Sequence, residues 1–330
     1  MLFRSSGSWT NTGSPGWNSS VPNTSDQVVF GGTSGKTIDV SGFTKDLGGM
    51  TLSSNIVTNF SGTGPINFQN NKSINFNNNS VTFAPQITVG GLTATGPTLL
   101  TLSGSGTVTL NGNVLQGASA SSSTLVVSGG LTLKTFTNFS SGATITNNGT
   151  TVLSGTTGSF RDFANQGTLS GAGTGVYFGS NFDHLALNSG STVKTYIGGT
   201  TAGTYDSWMS TNPTSMDLGA NLNINFGNIT GAVNGTTWNI FNADNASNFG
   251  SVTATGKVNN VTVVFTQPGG PGSAWQSNDI GGGSFLVFKN NGDLVVVPEP
   301  STIVFAGVGV AMAGWSAWKK RRLAKVLAKA

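Results

Sequence analysis

The side chains that could carry chemistry in this sequence are few, and the first to consider is its single histidine. His184 follows Asp183 directly, and a base beside an acid is the pairing that acid–base hydrolysis uses. The run Leu185-Ala-Leu187 after it predicts a strand, in which neighbouring side chains point to opposite faces. His184 and Asp183 are therefore not expected to pair, and an exposed or capping histidine is the preferred interpretation.

Carboxylates are also too dispersed to suggest a catalytic or metal centre. The Asp residues are spread thinly, and Arg161-Asp162, the nearest approach to a charged cluster, is explained by a surface ion pair. Glycan-cleaving enzymes need carboxylates that converge, and calcium loops need Asp at regular spacing. The chain also has no Cys for a thiolate ligand or nucleophile. We therefore expect no catalytic residue, no metal site, no cofactor and no enzymatic activity.

The strongest pattern is in the tail, where the only Glu of the sequence stands between two prolines as Pro298-Glu299-Pro300. Proline fixes φ and disfavours helix at the preceding residue, so the tripeptide is expected to stay extended, as a protease substrate does. An uncharged apolar run follows over 302–318. Its length is at the short limit for a transmembrane helix, which needs about 17 residues or more.

The residues that close this apolar run fix its interpretation. Trp315 and Trp318 suit a membrane interface, where indole rings are favoured. Four consecutive bases then mark the cytoplasmic end and place the body on the far side of the membrane: Lys319, Lys320, Arg321 and Arg322. The alternative, a buried core helix, rarely ends in two tryptophans and a basic block.

This combination of motif, short span and basic cluster resembles the PEP-CTERM sorting signal of Gram-negative bacteria. The resemblance covers the last 34 residues or so of the chain and implies that Pro298, Glu299 and Pro300 are recognition positions. It also implies recognition by exosortase, a membrane transpeptidase-like cysteine protease that cuts near the motif. Release or transfer of the protein to the cell surface would follow, often alongside exopolysaccharide production.

The composition of the body excludes some partners and predicts β structure. Only 8% of residues are charged while 36% are hydrophobic, and 49 are Gly. Disordered chains usually combine low hydrophobicity with high net charge, so an ordered, turn-rich chain is favoured. Most of the excess positive charge lies in the tail. The body carries one more acidic than basic residue and has no basic stripe, so nucleic acid is not an expected partner.

Short alternating strands recur through the body and are separated by Gly, Asn and Ser. Examples are Ile66-Asn-Phe68, Ile74-Asn-Phe76 and Val81-Thr-Phe83. A β-solenoid explains this pattern well, because its coils stack short strands separated by turns that Gly and Asn tolerate. A β-sandwich or barrel also produces evenly spaced short strands and stays open as the alternative. The expected class is all-β: a right-handed β-solenoid with a β-rich C-terminal cap and one C-terminal transmembrane helix.

A second resemblance concerns the body itself. Phrases such as Gly130-Leu-Thr-Leu133 resemble autotransporter-type passenger repeats, which are right-handed β-helices. The opening Trp9…Trp17…Val21-Pro22 and the final run from Gly292 resemble proteins that carry such a passenger together with a PEP-CTERM tail.

Changes in composition and in strand length along the sequence divide the chain into four expected parts. Residues 1–40 form an N-terminal capping segment, 41–199 the solenoid repeats, 200–297 a cap or small β domain, and 298–330 the sorting tail. The first residues contain no apolar stretch long enough for a secretory signal, although the tail requires export. We therefore expect the true start, with its signal peptide, to lie upstream.

The sequence predicts an exported structural protein of the cell surface or extracellular matrix, held in the envelope membrane by its tail until exosortase processes it. The expected partners are the membrane, exosortase, and exopolysaccharide or other surface glycans. The alternative is a surface adhesin or glycan-binding protein, with a sugar platform formed by Trp208, Trp238 and Trp275. A polysaccharide-active β-helix enzyme is a third, less favoured class.

Overall fold

A computed structural model of the chain describes most of the region between residues 27 and 299. Residues 2–3 and 7–8 are also described. The residues outside the description are 1, 4–6, 9–26, 31–35, 42–45, 54–57, 64, 92–94, 117–119, 136–142, 154–161, 172–175, 178–183, 210–215, 244–247, 268–273 and 300–330.

Two long parallel sheets organise the fold, and the strands are numbered in chain order. Sheet 1 has ten described strands, and their order in the sheet is their order along the chain. Its strands are β1 (Leu2–Phe3), β3 (Gln27–Phe30), β6 (Gly49–Leu52), β9 (Lys72–Asn75), β12 (Gly96–Ser103), β15 (Ala120–Val127), β17 (Ala143–Asn147), β19 (Asp162–Asn165), β22 (His184–Leu187) and β25 (Met216–Leu218).

Sheet 2 is built in the same way from eleven described strands. They are β2 (Gly7–Ser8), β4 (Lys36–Asp39), β7 (Thr58–Ser61), β10 (Val81–Phe83), β13 (Thr107–Leu110), β16 (Thr132–Thr135), β18 (Thr150–Leu153), β20 (Thr168–Gly171), β23 (Thr192–Ile197), β26 (Asn221–Phe226) and β28 (Ser251–Thr255). A shorter parallel sheet, sheet 3, contains β5 (Asp46–Leu47), β8 (Pro65–Phe68), β11 (Gln86–Val89) and β14 (Val114–Gln116). Two further strands pair in parallel by themselves: β21 (Val176–Tyr177) and β24 (Ser207–Trp208).

The C-terminal part is antiparallel instead. Sheet 4 has the strand order β27, β34, β33, β32, β31. Its strands are β27 (Thr237–Asn239), β31 (Phe265–Thr266), β32 (Trp275–Asp279), β33 (Ser284–Phe288) and β34 (Asp293–Pro298). A small hairpin joins β29 (Lys257–Val258) to β30 (Val261–Thr262). Its two turn residues, Asn259 and Asn260, have φ of 50° and 65°, a conformation that Asn tolerates better than most residues.

The topology follows from the way the chain returns to each sheet. Strands of sheets 1 and 2 alternate along the chain, and each finds its parallel partner roughly 20–30 residues later, which is within the range of repeat units in solenoid proteins. The all-β class is confirmed, and the parallel sheets are consistent with a β-helix-like fold. They also run past the expected boundary at residue 199, because β25, β26 and β28 extend both ladders with the same parallel pairing.

Alternation along each strand produces the core. In sheet 1 the residues that face inward form columns, one of which runs through Leu100, Leu125, Ile145, Phe163 and Leu185, all fully buried. Fully burying such a side chain contributes about 1.5–3 kcal/mol. The core is therefore continuous from rung to rung, as stacked parallel strands require.

Aromatic residues also pack in the N-terminal part of the core. Phe60 on β7 and Phe83 on β10 occupy paired positions in sheet 2, with ring centroids 4.7 Å apart, and Phe30 on β3 of sheet 1 contacts Phe60 edge-on with ring centroids 5.3 Å apart. Such pairs contribute about 0.5–1.5 kcal/mol beyond the area they bury.

Two buried amides interrupt the apolar column that contains Val127 and Leu187. Asn147 and Asn165 occupy equivalent positions on β17 and β19, and both are fully buried. The Asn147 amide donates 2.7 Å to the Asn165 side-chain oxygen and 2.8 Å to the Thr168 carbonyl. Burying polar groups is tolerable when they are hydrogen-bonded, so this pair supports the register of β17 and β19 without leaving unpaired polar groups.

Thr151 is an exception to the rule that buried polar groups are hydrogen-bonded. It faces inward between Leu133 and Leu169, is fully buried, and its hydroxyl has no hydrogen-bond partner. An unpaired buried hydroxyl costs free energy that an apolar group of the same shape does not. We therefore expect Thr151→Val to raise the free energy of unfolding by about 1 kcal/mol, measured by urea denaturation.

The neighbouring Thr150→Val is the matched control, since Thr150 is on the same strand but faces outward and is half-buried. This variant should change stability by less than about 0.5 kcal/mol. A loss of stability in Thr151→Val would contradict the prediction and indicate that the native hydroxyl is satisfied by a buried water.

Trp208 connects the parallel sheets to sheet 4. Its indole N–H donates 2.9 Å to the hydroxyl of Thr195 on β23, and its ring stacks on Phe241 at 6.4 Å with an interplanar angle of 15°. Its backbone N–H donates to the Ile240 carbonyl at 2.6 Å. Because β27 leads directly into Ile240, this one residue ties the end of the parallel stack to the antiparallel sheet.

Candidate functional site

The tail leaves the folded body from the inside of sheet 4. Strand β34 lies between β27 and β33 and hydrogen-bonds to both. Leu294, Val295 and Val296 are buried, so three consecutive residues are packed immediately before the Pro-Glu-Pro motif. An apolar run of this kind is what a strand covered on both faces requires.

The first residue of the motif is part of this strand. Pro298 stands opposite Ser284 in the β33–β34 register, and the backbone N–H of Glu299 donates 2.7 Å to the carbonyl of Gly283. The Glu299 side chain is exposed. No linker therefore separates the folded sheet from the motif, and Glu299 is held by its backbone alone.

A glycine turn forms the surface from which the motif emerges. Gly281, Gly282 and Gly283 have φ of 107°, 68° and 68°, which side-chain-bearing residues rarely adopt. The Asp279 carboxylate accepts the N–H of Gly281 at 2.7 Å and of Ser284 at 3.2 Å, which closes the turn. This turn directs the Gly283 carbonyl towards Glu299.

The remaining predicted tail residues lie outside the described part of the chain. They are Pro300, the span 302–318 with Trp315 and Trp318, and the basic cluster Lys319, Lys320, Arg321 and Arg322. Among the residues between 2 and 299 that are described, no helix is long and apolar enough to cross a membrane.

The structure pairs the single histidine with a carboxylate that the sequence did not indicate. His184 Nε2 lies 2.9 Å from Asp217 Oδ2 on β25, whereas Asp183 and Arg161 are outside the described residues. Both paired side chains are open to solvent, with 42% and 68% of their surface exposed. An exposed ion pair contributes about 0–1 kcal/mol, so the pair adds little to stability. No group of three or more potential metal ligands occurs in the described ranges.

The proposed tryptophan platform is wrong. Trp208 and Trp238 are fully buried and Trp275 nearly so. The Trp238 indole N–H donates 2.7 Å to the Gly199 carbonyl, and that of Trp208 is used by Thr195. Trp208 and Trp238 serve the core by joining different elements of the fold, and Trp275 is buried in the same core with no hydrogen-bond partner for its indole N–H.

A polar groove on the outer face of sheet 2 was not found from the sequence. It crosses β20, β23, β26 and β28 and encloses about 400 Å³. Alternation within Thr192–Ile197 does place Lys194 and Tyr196 on the outer face. Only the pairing with β26 and β28 brings further polar side chains beside them, and that pairing could not be derived from spacing.

Comparison with known families identifies the tail. Residues 296–322 match the family model of the PEP-CTERM protein-sorting motif. No curated protein and no solved structure matches the chain. The sorting-signal prediction is thus confirmed, and the match contains every tail residue that the sequence singled out, from Pro298 to Arg322. The motif indicates an exported protein with a membrane-anchoring tail and exosortase as its processing partner.

Proposed function

We propose that this chain is an exported structural protein of the cell surface or extracellular matrix, whose tail is cleaved by exosortase. In this proposal the body is a right-handed β-solenoid of the autotransporter-passenger type, closed by sheet 4. The parallel ladders support the solenoid. Four of the five strands of sheet 4, β31 to β34, follow β28, the last strand of those ladders, and this supports a role as a cap, since repeat arrays need an atypical terminal unit.

The observation that carries the proposal is the direct continuity of β34 with the matched motif. Every residue of β34 up to Pro298 belongs to sheet 4, and the backbone N–H of Glu299 donates to the Gly283 carbonyl. A protease binds its substrate as an extended segment with free backbone groups. In the folded protein the bonds of β34 do not meet this condition, so processing should leave β34 intact.

The test is mass spectrometry of the C-terminus of the protein, isolated separately from envelope and medium fractions. We expect a mature C-terminus between Glu299 and Thr302 in the processed form. A chain that keeps Ala330 in the membrane fraction, with no shorter form, would mean a permanent anchor and would overturn the exosortase proposal. A C-terminus before Pro298 would instead require that sheet 4 open before cleavage.

A second candidate function, glycan binding at the cell surface, is favoured by the groove on sheet 2. Its polar lining and its position on an open sheet face suit a carbohydrate ligand better than a structural contact within the chain. An adhesin or glycan-binding role and a structural role are compatible, because a matrix protein must attach to the matrix.

A further inference from the structure

The groove on sheet 2 has a floor of paired strands and an open lining that contains several polar side chains. Its four strands, β20, β23, β26 and β28, follow one another in parallel register. The lining side chains come from alternate, outward-facing positions: Ser170, Lys194, Tyr196, Asn223, Asn225 and Thr255. Positions on stacked strands are held about 4.8 Å apart, so the groove offers a repeating row of contacts.

Tyr196 is seated over two glycines. A Cβ at Gly198 would lie 2.8 Å from its ring carbon Cε1, and a Cβ at Gly227 would lie 2.4 Å from its hydroxyl oxygen. The ring therefore needs both glycines in order to occupy this position against the backbone. A ring held in this way along the wall of a polar groove provides a platform on which the apolar face of a sugar can lie.

Four of the polar side chains that line the groove have no partners of their own, whereas the Ser170 hydroxyl donates 3.0 Å to the Gly171 carbonyl. Lys194, Asn223, Asn225 and Thr255 make no side-chain hydrogen bond or ion pair within the described part of the chain. By contrast, the side-chain amide of the buried Asn165 donates hydrogen bonds to two backbone carbonyls of the protein. These four polar groups line one open groove and are available to a ligand rich in hydroxyl and carboxylate groups.

In the C-terminal half of the parallel stack, the charged residues of the two sheets differ in sign. The strands of sheet 2 from β16 to β28 contain Lys134 and Lys194 and no acidic residue. The strands of sheet 1 from β15 to β25 contain Asp162 and Asp217 and no Lys or Arg. Lys194 is the one charged side chain in the lining of the groove, while the carboxylate of Asp206 is fully buried beneath Gly171 and accepts the Tyr196 backbone N–H at 2.8 Å. The groove is therefore suited to an anionic ligand.

We propose that this groove binds a segment of a carboxylated polysaccharide. A sugar ring lies on Tyr196, a uronate carboxylate pairs with Lys194, and the amides of Asn223 and Asn225 bind ring hydroxyls. The proposal rests on the proposed surface location only in one respect, namely that a protein at the cell surface encounters such a polysaccharide. The site itself does not depend on the tail or on its cleavage.

The experiment is calorimetric titration of the purified protein with polygalacturonate oligosaccharides, and in parallel with the same oligosaccharides after methyl esterification. The ester keeps the sugar backbone and removes the charge. We expect binding of the acid form, at least about tenfold weaker binding of the ester, and a similar loss for the acid form in Lys194→Gln, because a charge-assisted contact is removed.

Two further variants separate the groove from general effects of charge and folding. Lys134→Gln removes the other lysine of the same face, outside the groove, and should leave the affinity within about twofold of the unmodified protein. Gly227→Ala keeps Tyr196 but displaces its hydroxyl end, and should weaken binding of the acid form about tenfold with an unchanged denaturation midpoint.

Three outcomes would overturn the proposal. They are no binding of polygalacturonate by the unmodified protein, equal binding of the acid and the ester, or equal loss in Lys134→Gln and Lys194→Gln. Equal binding of acid and ester that still depends on Tyr196 would instead assign a neutral glycan. Each of these results is independent of whether the tail is processed, so failure here leaves the sorting proposal standing.

Discussion

Glu299→Ala is expected to block processing of the tail while leaving the body folded. The Glu299 side chain is exposed, and its contact with the body is made by its backbone N–H, which alanine retains. A hydrogen bond to a charged group contributes about 1.5–3 kcal/mol. Loss of that contact in the protease should slow cleavage by about ten- to hundredfold. The measurement is a time course of the ratio of unprocessed to processed chain in envelope fractions.

Lys289→Ala is the matched control for this prediction. Lys289 is also an exposed charged residue of the region around sheet 4, but it lies outside the motif. Its substitution should leave processing unchanged, and both variants should unfold at the same denaturant concentration as the unmodified protein. Normal processing of Glu299→Ala would show that the carboxylate is not read by the protease, although the motif match would remain.

Trp208→Ala should be among the most destabilising single substitutions in the body. The side chain is fully buried, stacks on Phe241 and satisfies the buried hydroxyl of Thr195. Truncating a buried tryptophan leaves a large cavity and costs about 3–5 kcal/mol, a large share of the stability of a typical domain. Urea denaturation followed by tryptophan fluorescence and by circular dichroism would measure the loss.

Two comparisons sharpen this result. Trp208→Phe retains a ring against Phe241 but loses the indole N–H, so we expect it to cost less than the alanine variant. Val233→Ala, at a side chain that is 65% exposed, should change stability by no more than about 0.5 kcal/mol. If the two optical signals separate in Trp208→Ala, sheet 4 unfolds independently of the parallel stack. A loss below about 1 kcal/mol would contradict the prediction.

Strand positions were predictable because alternation is a local signal. The pattern Val81-Thr-Phe83 coincides with β10, and Leu222–Phe226 lies within β26. Polar and apolar residues also alternate in Thr237-Trp-Asn-Ile240, but the strand there, β27, ends at Asn239. The backbone N–H groups of Ile240 and Phe241 are directed to the Gly292 carbonyl instead of continuing the ladder with β34. That contact depends on a residue far along the chain and leaves no local trace.

Pairing and polarity were less predictable. The offset between paired residues varies from coil to coil, so spacing alone did not give the parallel register. Asn147 is two residues after Ile145 on β17 and therefore faces inward like it. A polar side chain is expected at the surface, and only the hydrogen bond to Asn165 explains why Asn147 is buried. The tryptophans misled for the opposite reason. A ring that can stack on a sugar is equally suited to fill a junction between sheets.

The candidate sites differ in the same way. The Pro-Glu-Pro motif is one continuous stretch of sequence, and the basic cluster is another. Residue types alone therefore identified both. The groove is assembled from four strands whose residues span positions 170 to 255, and each of them is unremarkable in its own segment. Only the ladder brings them onto one surface.

The placement of β34 between two partners also has a mechanical consequence. Before cleavage, a pull between a membrane-held tail and the body is applied at Pro298, along the axis of a strand that hydrogen-bonds on both sides. Tension in that direction loads the hydrogen bonds of both ladders at the same time, in shear, instead of breaking them one after another. The connection should therefore resist force well for its size, and the rate of forced unfolding, more than the equilibrium stability, would set how long it lasts.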